Sequence, residues 1–220
     1  MKIGLVITAK NEERIIRENI LYHNYLGIDQ VYLYLDNSTD MTAQLVADLP
    51  YVEVNSSIDA NRYIDRPELK IFIDNYHEHH TARQCLNSFD ALQKCRANGI
   101  GWLISIDADE LVCPENNTSA KNGIKTFFLG LPSNTQAIQF RVYEAFQRKF
   151  EYKHVFKEEM LFKSRWEFTH RLDRLYKKIY DPFRKEYKKI SFWYGHTMGK
   201  MALNTSLDFY PKNVHRFRLS

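Results

Sequence analysis

Trp102-Leu103-Ile104-Ser105-Ile106-Asp107-Ala108-Asp109-Glu110 is the stretch around which the chain is organised. It enters through Gly99-Ile100-Gly101, runs as a short apolar segment with β-branched residues, and reads as a buried strand. It ends in three carboxylates within four positions. Burying that many acids without partners is far too costly, which suggests that the strand stops at the edge of a sheet with its acids facing a cation, although acids are also common in the loops after strands. Residues i and i+2 of an extended chain project to the same side, which pairs Asp107 with Asp109 and turns Glu110 away to a supporting role. Hard oxygen ligands of this kind suit Mg²⁺ or Mn²⁺. The open carboxyl end of a core strand is also where α/β sheets bind ligands.

Working back toward the N-terminus, Lys2–Thr8 is mostly apolar without alternation, as a central parallel strand should be. Ala9-Lys10-Asn11-Glu12-Glu13 follows, then a helical pattern to Leu26, with Gly27 suited to end it. Gln30–Leu35 reads as a second strand halting at Asp36-Asn37-Ser38-Thr39-Asp40. Asp40 or Thr39 is placed to cap a helix carrying Leu45, Val46 and Leu49, stopped by Pro50. Val52–Val54 makes a third strand, Asn55–Asp74 a long polar connection, and His77–Ala97 a helix leading into the central strand. This strand–helix succession predicts an α/β fold with a mostly parallel central sheet and flanking helices.

Working forward, a helix is expected through Ile124, Phe127 and Phe128, and a strand over Gln136–Phe146. Ile190–Tyr194 reads as a last strand, leading to Gly195-His196-Thr197-Met198-Gly199-Lys200. The segment 148–189 is rich in Lys, Arg, Tyr and Phe. Three readings stand for it: a solvated face, an attractor for an acidic glycan or a lipid-linked phosphate acceptor, or a surface lying against an anionic membrane.

The bulk numbers narrow the class. A chain of 220 residues, 44% hydrophobic and 26% charged, suffices for one sizeable core. A net charge of +4 with no recognised motif argues against nucleic acid as a partner. Three cysteines without a CxxC pair argue against a disulfide framework and for a reducing compartment. The first apolar run, Ile3–Ile7, is too short for a signal peptide, and no run approaches the ~20 apolar residues of a membrane span. These features predict a cytoplasmic protein, with peripheral membrane contact through 148–189 left open. The histidines of His77-Glu78-His79-His80 cannot all share one helix face, so a zinc site is not expected there.

The order of the pieces resembles the GT-A fold of glycosyltransferases, in the branch around families 2 and 92. Lys10-Asn11-Glu12-Glu13 after the first strand is similar to the opening of family 2 enzymes. Leu35-Asp36-Asn37-Ser38-Thr39-Asp40-Met41-Thr42 is similar to the element closing their second strand, although many relatives carry a second Asp and a Gly there. Asp107-Ala108-Asp109-Glu110 resembles the DxD element. Gln84 and Asn87 on the preceding helix, Gly195-His196, Gly199-Lys200 and Val214-His215-Arg216-Phe217 extend the likeness. It spans most of 1–113 and the last thirty or so residues, and is weak over 115–189.

The resemblance implies one GT-A domain over 1–220. Its first half, 1–113, would bind the nucleotide sugar, and 114–220 would supply the acceptor side and contacts to metal and diphosphate. The implied reaction is metal-dependent transfer from a nucleoside diphosphate sugar, UDP-linked, to a glycan or lipid-linked acceptor, as in polysaccharide biosynthesis. Thr8, Ala9 and Glu12 would line the nucleoside pocket, with Gln84 and Asn87 beside it. Asp36 would accept hydrogen bonds from base or ribose. Asp107 and Asp109 would hold the cation and Lys200 would contact the diphosphate. His215 or His196 would complete the metal shell, tilting the preference toward Mn²⁺. Glu144 or Asp173 would serve as base for the acceptor hydroxyl. The alternatives are a sugar nucleotidyltransferase, disfavoured by the absence of glycine after the first strand, and a non-catalytic binder of nucleotides or acidic glycans.

Overall fold

The computed structural model describes residues 1–113, 121–164, 171–172, 175, 178–179 and 198–220. They contain, in order, β1 (Ile3–Ala9), α1 (Ile16–Tyr25), β2 (Gln30–Leu35), β3 (Val52–Ser56), α2 (Lys70–Asp74), α3 (His80–Ala97), β4 (Trp102–Asp107) and α4 (Gly123–Leu129). The short elements β5 (Ala137–Gln139), β6 (Tyr143–Ala145), α5 (Val155–Glu158) and β7 (Phe162–Ser164) follow. The chain closes with β8 (Met201–Asn204), β9 (Phe209–Asn213) and β10 (Arg216–Leu219). Two compact units result, one from 1–140 with 200–220 and the other from 141–199.

The first unit is built on a six-stranded sheet of order β3-β2-β1-β4-β8-β5. The four strands β1 to β4 are parallel, so their carboxyl ends share one edge. Register sets Thr8 beside Asp107 and Ala9 beside Leu35 on that edge. β8 runs antiparallel to β4, with Met201 opposite Ser105. Lys200, just before β8, therefore falls at the carboxyl end of β4.

Alternation along β1 feeds both faces of the sheet. Ile3, Leu5 and Ile7 pack with Ile16 and Ile20 of α1 and with Ile124 and Phe128 of α4. Val6 points the other way, toward Tyr32, Tyr34, Leu103 and the Ala91, Leu92 and Cys95 face of α3. Full burial of each large aliphatic contributes roughly 1.5–3 kcal/mol. Gly4 permits the close approach of α3, since a Cβ there would lie 2.9 Å from Cys95 Sγ. Gly27, at φ +107°, ends α1 as expected from its conformational freedom.

Several expectations need correction. The helix expected around Leu45–Leu49 is only a 3₁₀ turn over Gln44–Val46, too short a segment between its cap and Pro50 to build α-helical turns. The connection 55–74 is not merely polar loop. It holds two 3₁₀ turns and α2, because Leu69 and Phe72 join Ala82, Cys85, Leu86 and Phe89 in a third apolar cluster. α3 begins at His80 rather than His77. The strand expected over Gln136–Phe146 is two strands: β5 ends at Gln139 in the first unit, and β6 belongs to the second. β8 and the β9–β10 hairpin are not foreseen from sequence. The strand expected over Ile190–Tyr194 lies outside the described residues.

In the second unit, β6 and β7 form an antiparallel pair. The buried carboxylate of Glu159 accepts from Arg148 Nε at 3.0 Å and from Tyr152 Oη at 2.7 Å. These donors hold it well below the usual carboxylate range, near 2. No described helix is long and apolar enough to cross a membrane.

Candidate active site

β4 delivers Asp107 to the sheet edge, and the turn that follows is closed by Glu110. The Glu110 backbone N–H donates to Asp107 O at 3.1 Å, and its carboxylate accepts the Asp107 backbone N–H at 2.9 Å. Glu110 thus holds the turn rather than facing outward. Burial, with the neighbouring Asp107 carboxylate, pushes the Glu110 carboxyl up to about 7. Asp107 is gripped from two elements: Gln84 Nε2 of α3 donates to Oδ1 at 2.5 Å, and Lys200 Nζ lies 2.7 Å from Oδ2. Asp109 is exposed, and no hydrogen bond or ion pair to it occurs among the described residues. Glu12, from the loop after β1, has its carboxyl raised by burial and by Asp109, Asp40 and Asp107. One buried ammonium therefore faces several acids.

A second feature sits at the ends of β2 and β3. A cleft of about 410 Å³ is lined by Leu35, Asp36, Ser38, Ser57, Tyr76 and Arg83, among others. Asp36 is buried and forms a two-pronged pair with Arg83: Nε to Oδ1 at 2.6 Å and Nη2 to Oδ2 at 3.0 Å. Arg83 Nη1 also donates to Tyr76 O at 2.7 Å, which fixes the turn before α3 as a wall of the cleft. Asp36 thus places both carboxylate oxygens on Arg83 and holds that guanidinium, while each oxygen keeps a further lone pair as an acceptor. His77 is exposed at the cleft, and His79 and His80 are exposed at the start of α3.

The loops after β1 and β2 are cross-tied. Asn11 and Asn37 adopt left-handed φ of 58° and 56°. Asn11 Oδ1 accepts from Thr39 N, Thr42 Oγ1 from Glu12 N, Asp40 Oδ2 from Glu13 N, and Glu13 Oε2 from Met41 N. Glu12 is held in place by this exchange. Asp40 caps its own turn through Thr42 and braces the neighbouring loop.

The remaining candidates are distributed as follows. Asn87 is fully buried: Nδ2 donates to Thr8 Oγ1 and Ser57 Oγ, and Oδ1 accepts from Ile58 N. It and Thr8 brace the strand ends, and Ala9 is buried beneath them. His215 sits in the β9–β10 turn, its backbone N–H donating to Asn213 Oδ1. Glu144 lies in the second unit, 2.7 Å from Lys163 Nζ. His196 and Asp173 fall outside the described residues. Cys85, Cys95 and Cys113 are free thiols. Sequence reasoning missed Arg83, although it adjoins Gln84. It also missed Asn19 and His23, which interrupt the apolar stripe of α1 between Ile16 and Ile20 and beyond.

Among the described residues no three His, Cys, Asp or Glu side chains form a preformed metal cage. Mg²⁺-type ions do not need one: they are commonly held by one or two carboxylates plus substrate phosphates and water. Asp107 and Asp109 fit that pattern. Each carboxylate oxygen has more than one lone pair, so Asp107 retains acceptor capacity beside Gln84 and Lys200. Burial first, and the neighbouring acids second, raise Glu12 and Glu110, and a divalent charge there would offset the contribution of the acids.

The family model described as Glycosyltransferase family 92 matches residues 8–212. The chain belongs to that family. A curated relative, the glycosyltransferase-like protein At2g41451 of Arabidopsis thaliana, is 22% identical over 213 residues. That match takes in 90% of this chain and 45% of the relative, so the family 92 chain described here spans about half the relative's length. Among solved structures, S. aureus TarS is 15% identical, with 59% of this chain and 32% of that one covered and a TM-score of 0.38. Glucosyl-3-phosphoglycerate synthase from Mycobacterium tuberculosis, in complex with UDP, is 15% identical, with 94% and 58% covered and a TM-score of 0.43.

Proposed function

We propose that this family 92 chain transfers a glycosyl group from a nucleoside diphosphate sugar, UDP-linked, to a hydroxyl of a glycan or lipid-linked acceptor. The observation that carries the reading is the shared edge of the parallel sheet. The Asp36–Arg83 cleft at the ends of β2 and β3 and the Asp107–Asp109 turn at the end of β4 stand on it, with the β1 loop between them. A nucleoside in the cleft sends its diphosphate across β1 toward the acids.

Asp107 and Asp109 would hold Mn²⁺ or Mg²⁺, which would neutralise charge on the departing diphosphate. Lys200 supplies a fixed positive charge at the same place, kept in position by Asp107. Gln84 fixes the Asp107 carboxylate, and Glu110 fixes the turn. Tyr76 offers a hydroxyl to a ribose or base and is held in place by Arg83, while Ser38 and Ser57 line the cleft with hydroxyls tied to Ala9 O and to Asp36 and Asn87. Glu144, which lies in the second unit 2.7 Å from Lys163 Nζ, is the carboxylate put forward as base for the acceptor hydroxyl. A cytoplasmic location, with 148–189 against an anionic lipid surface, accords with its excess of Lys and Arg.

The test is incubation with a panel of nucleotide sugars and Mn²⁺, following release of free nucleoside diphosphate. Release from a UDP-sugar that is lost in Asp109→Ala is the expected result. No release and no binding across the panel would contradict the reading.

A further inference from the structure

Asp109 is exposed, yet the backbone on both sides of it is tied down by one buried side chain. Asn19 of α1 donates its two Nδ2 hydrogens to the carbonyl oxygens of Ala108 and Glu110, each at 2.8 Å. Holding carbonyls i and i+2 with one amide leaves the residue between them pointing away, toward solvent. Four residues on, His23 continues the tie. Its Nε2 accepts the Val112 backbone N–H at 3.1 Å. That bond requires Nε2 to be unprotonated, so Nδ1 carries the hydrogen and donates to Asn19 O at 2.9 Å. Asn19 Oδ1 lies 2.9 Å from the same Nδ1, which orients the amide so that its hydrogens face the loop. Tyr22 adds a bond to Val112 O at 3.2 Å.

Both Asn19 and His23 are fully buried, on the stripe of α1 that also carries Ile16 and Ile20. A surface helix normally keeps polar groups off that stripe. Burying an amide and an imidazole there is tolerable only because each polar atom has a partner: Asn19 Nδ2 and His23 Nε2 on the backbone of one loop, and His23 Nδ1 on Asn19 itself. The folding core needs apolar contact at these positions, whereas the loop needs hydrogen bonds. The choice of Asn and His serves the loop.

We propose that Asn19 and His23 are positioning residues that pre-set the 108–112 loop, so that Asp109 is presented beside Asp107 before any ligand arrives. The inference rests on the reading of Asp107 and Asp109 as the cation- and diphosphate-binding pair. Without the tie, the loop samples conformations in which the two carboxylates do not converge, and binding must order it first.

The experiment combines calorimetry of UDP with and without Mn²⁺ and hydrogen exchange of the Val112 amide, each well below the melting temperature. It uses Asn19→Ala, His23→Leu, His23→Gln and Asp109→Ala. His23→Gln keeps an acceptor for Val112; His23→Leu keeps only bulk. His23→Leu and Asn19→Ala should speed Val112 exchange and weaken Mn²⁺-dependent UDP binding by about tenfold or more, and His23→Gln should recover most of that loss. If Asn19→Ala does not fold, the His23 pair decides alone. The inference is overturned if His23→Leu binds UDP and Mn²⁺ within about twofold of the parent while Asp109→Ala abolishes binding, a purely structural role. If Asp109→Ala itself binds normally, the site reading has failed, and the two failures are told apart by that variant.

Discussion

Lys200 Nζ lies 2.7 Å from Asp107 Oδ2, with the lysine side chain 4% exposed and the aspartate 41%. The ammonium is the more buried partner, so it depends on the pair more than the carboxylate does. Asp109, two residues along, carries no such duty. The two acids of one motif thus have different structural weight.

This asymmetry predicts opposite stability effects. Asp107→Asn leaves the buried ammonium with only the more distant Glu110, at 3.9 Å, as counter-charge and should cost about 1–3 kcal/mol, at the lower end because Asp107 is partly exposed. Asp109→Ala removes an exposed acid from a crowd of like charges and should change stability by less than about 0.5 kcal/mol, or raise it. Denaturant melts of the two variants check the ordering; an equal loss in both would contradict it.

The Asp36–Arg83 pair should behave as a coupled unit. Arg83→Met strands a buried carboxylate and should destabilise by about 3–5 kcal/mol, while also loosening the Tyr76 wall and weakening UDP binding. Adding Asp36→Asn to Arg83→Met should recover part of that stability. A double-mutant cycle measures the coupling, and purely additive losses would show that the pair is not a unit.

His23 ties stability to pH. Burial lowers its folded-state pKa to about 4, against about 6.5 when unfolded. Above pH ~6.5 both states are neutral and its contribution is complete. As pH falls from there toward 4, the unfolded chain takes up the proton first, and up to about 3 kcal/mol is lost. Below 4 both states are protonated and the loss levels off. The difference between parent and His23→Gln in denaturant melts from pH 7.5 to 4 should show this slope; parallel curves would rule it out.

What is legible in the sequence follows from the range of the forces involved. β1, β2 and β4 declare themselves because an unbroken apolar run ending in acids or amides fits little besides a buried strand that reaches a sheet edge. Gly27 is legible because ending a helix at positive φ is a local matter. β8 is not, because four residues acquire strand character only from pairing with β4, about a hundred positions away in sequence. Asp36 can be singled out by its place after β2, but the guanidinium it pairs with lies 47 residues further on, and nothing local marks it. Asn19 and His23 do leave a trace, as polar residues on a buried helix stripe, but only the loop they hold gives that trace a meaning.

In the proposed function, Asp107 and Asp109 grip a cation that in turn grips a diphosphate. Calorimetry of UDP binding with and without Mn²⁺, on the parent and on Asp109→Ala, tests it most directly. Binding should depend strongly on Mn²⁺ in the parent and lose that dependence in the variant. Equal affinity with and without the metal, or an Asp109→Ala protein that binds as the parent does, would contradict it.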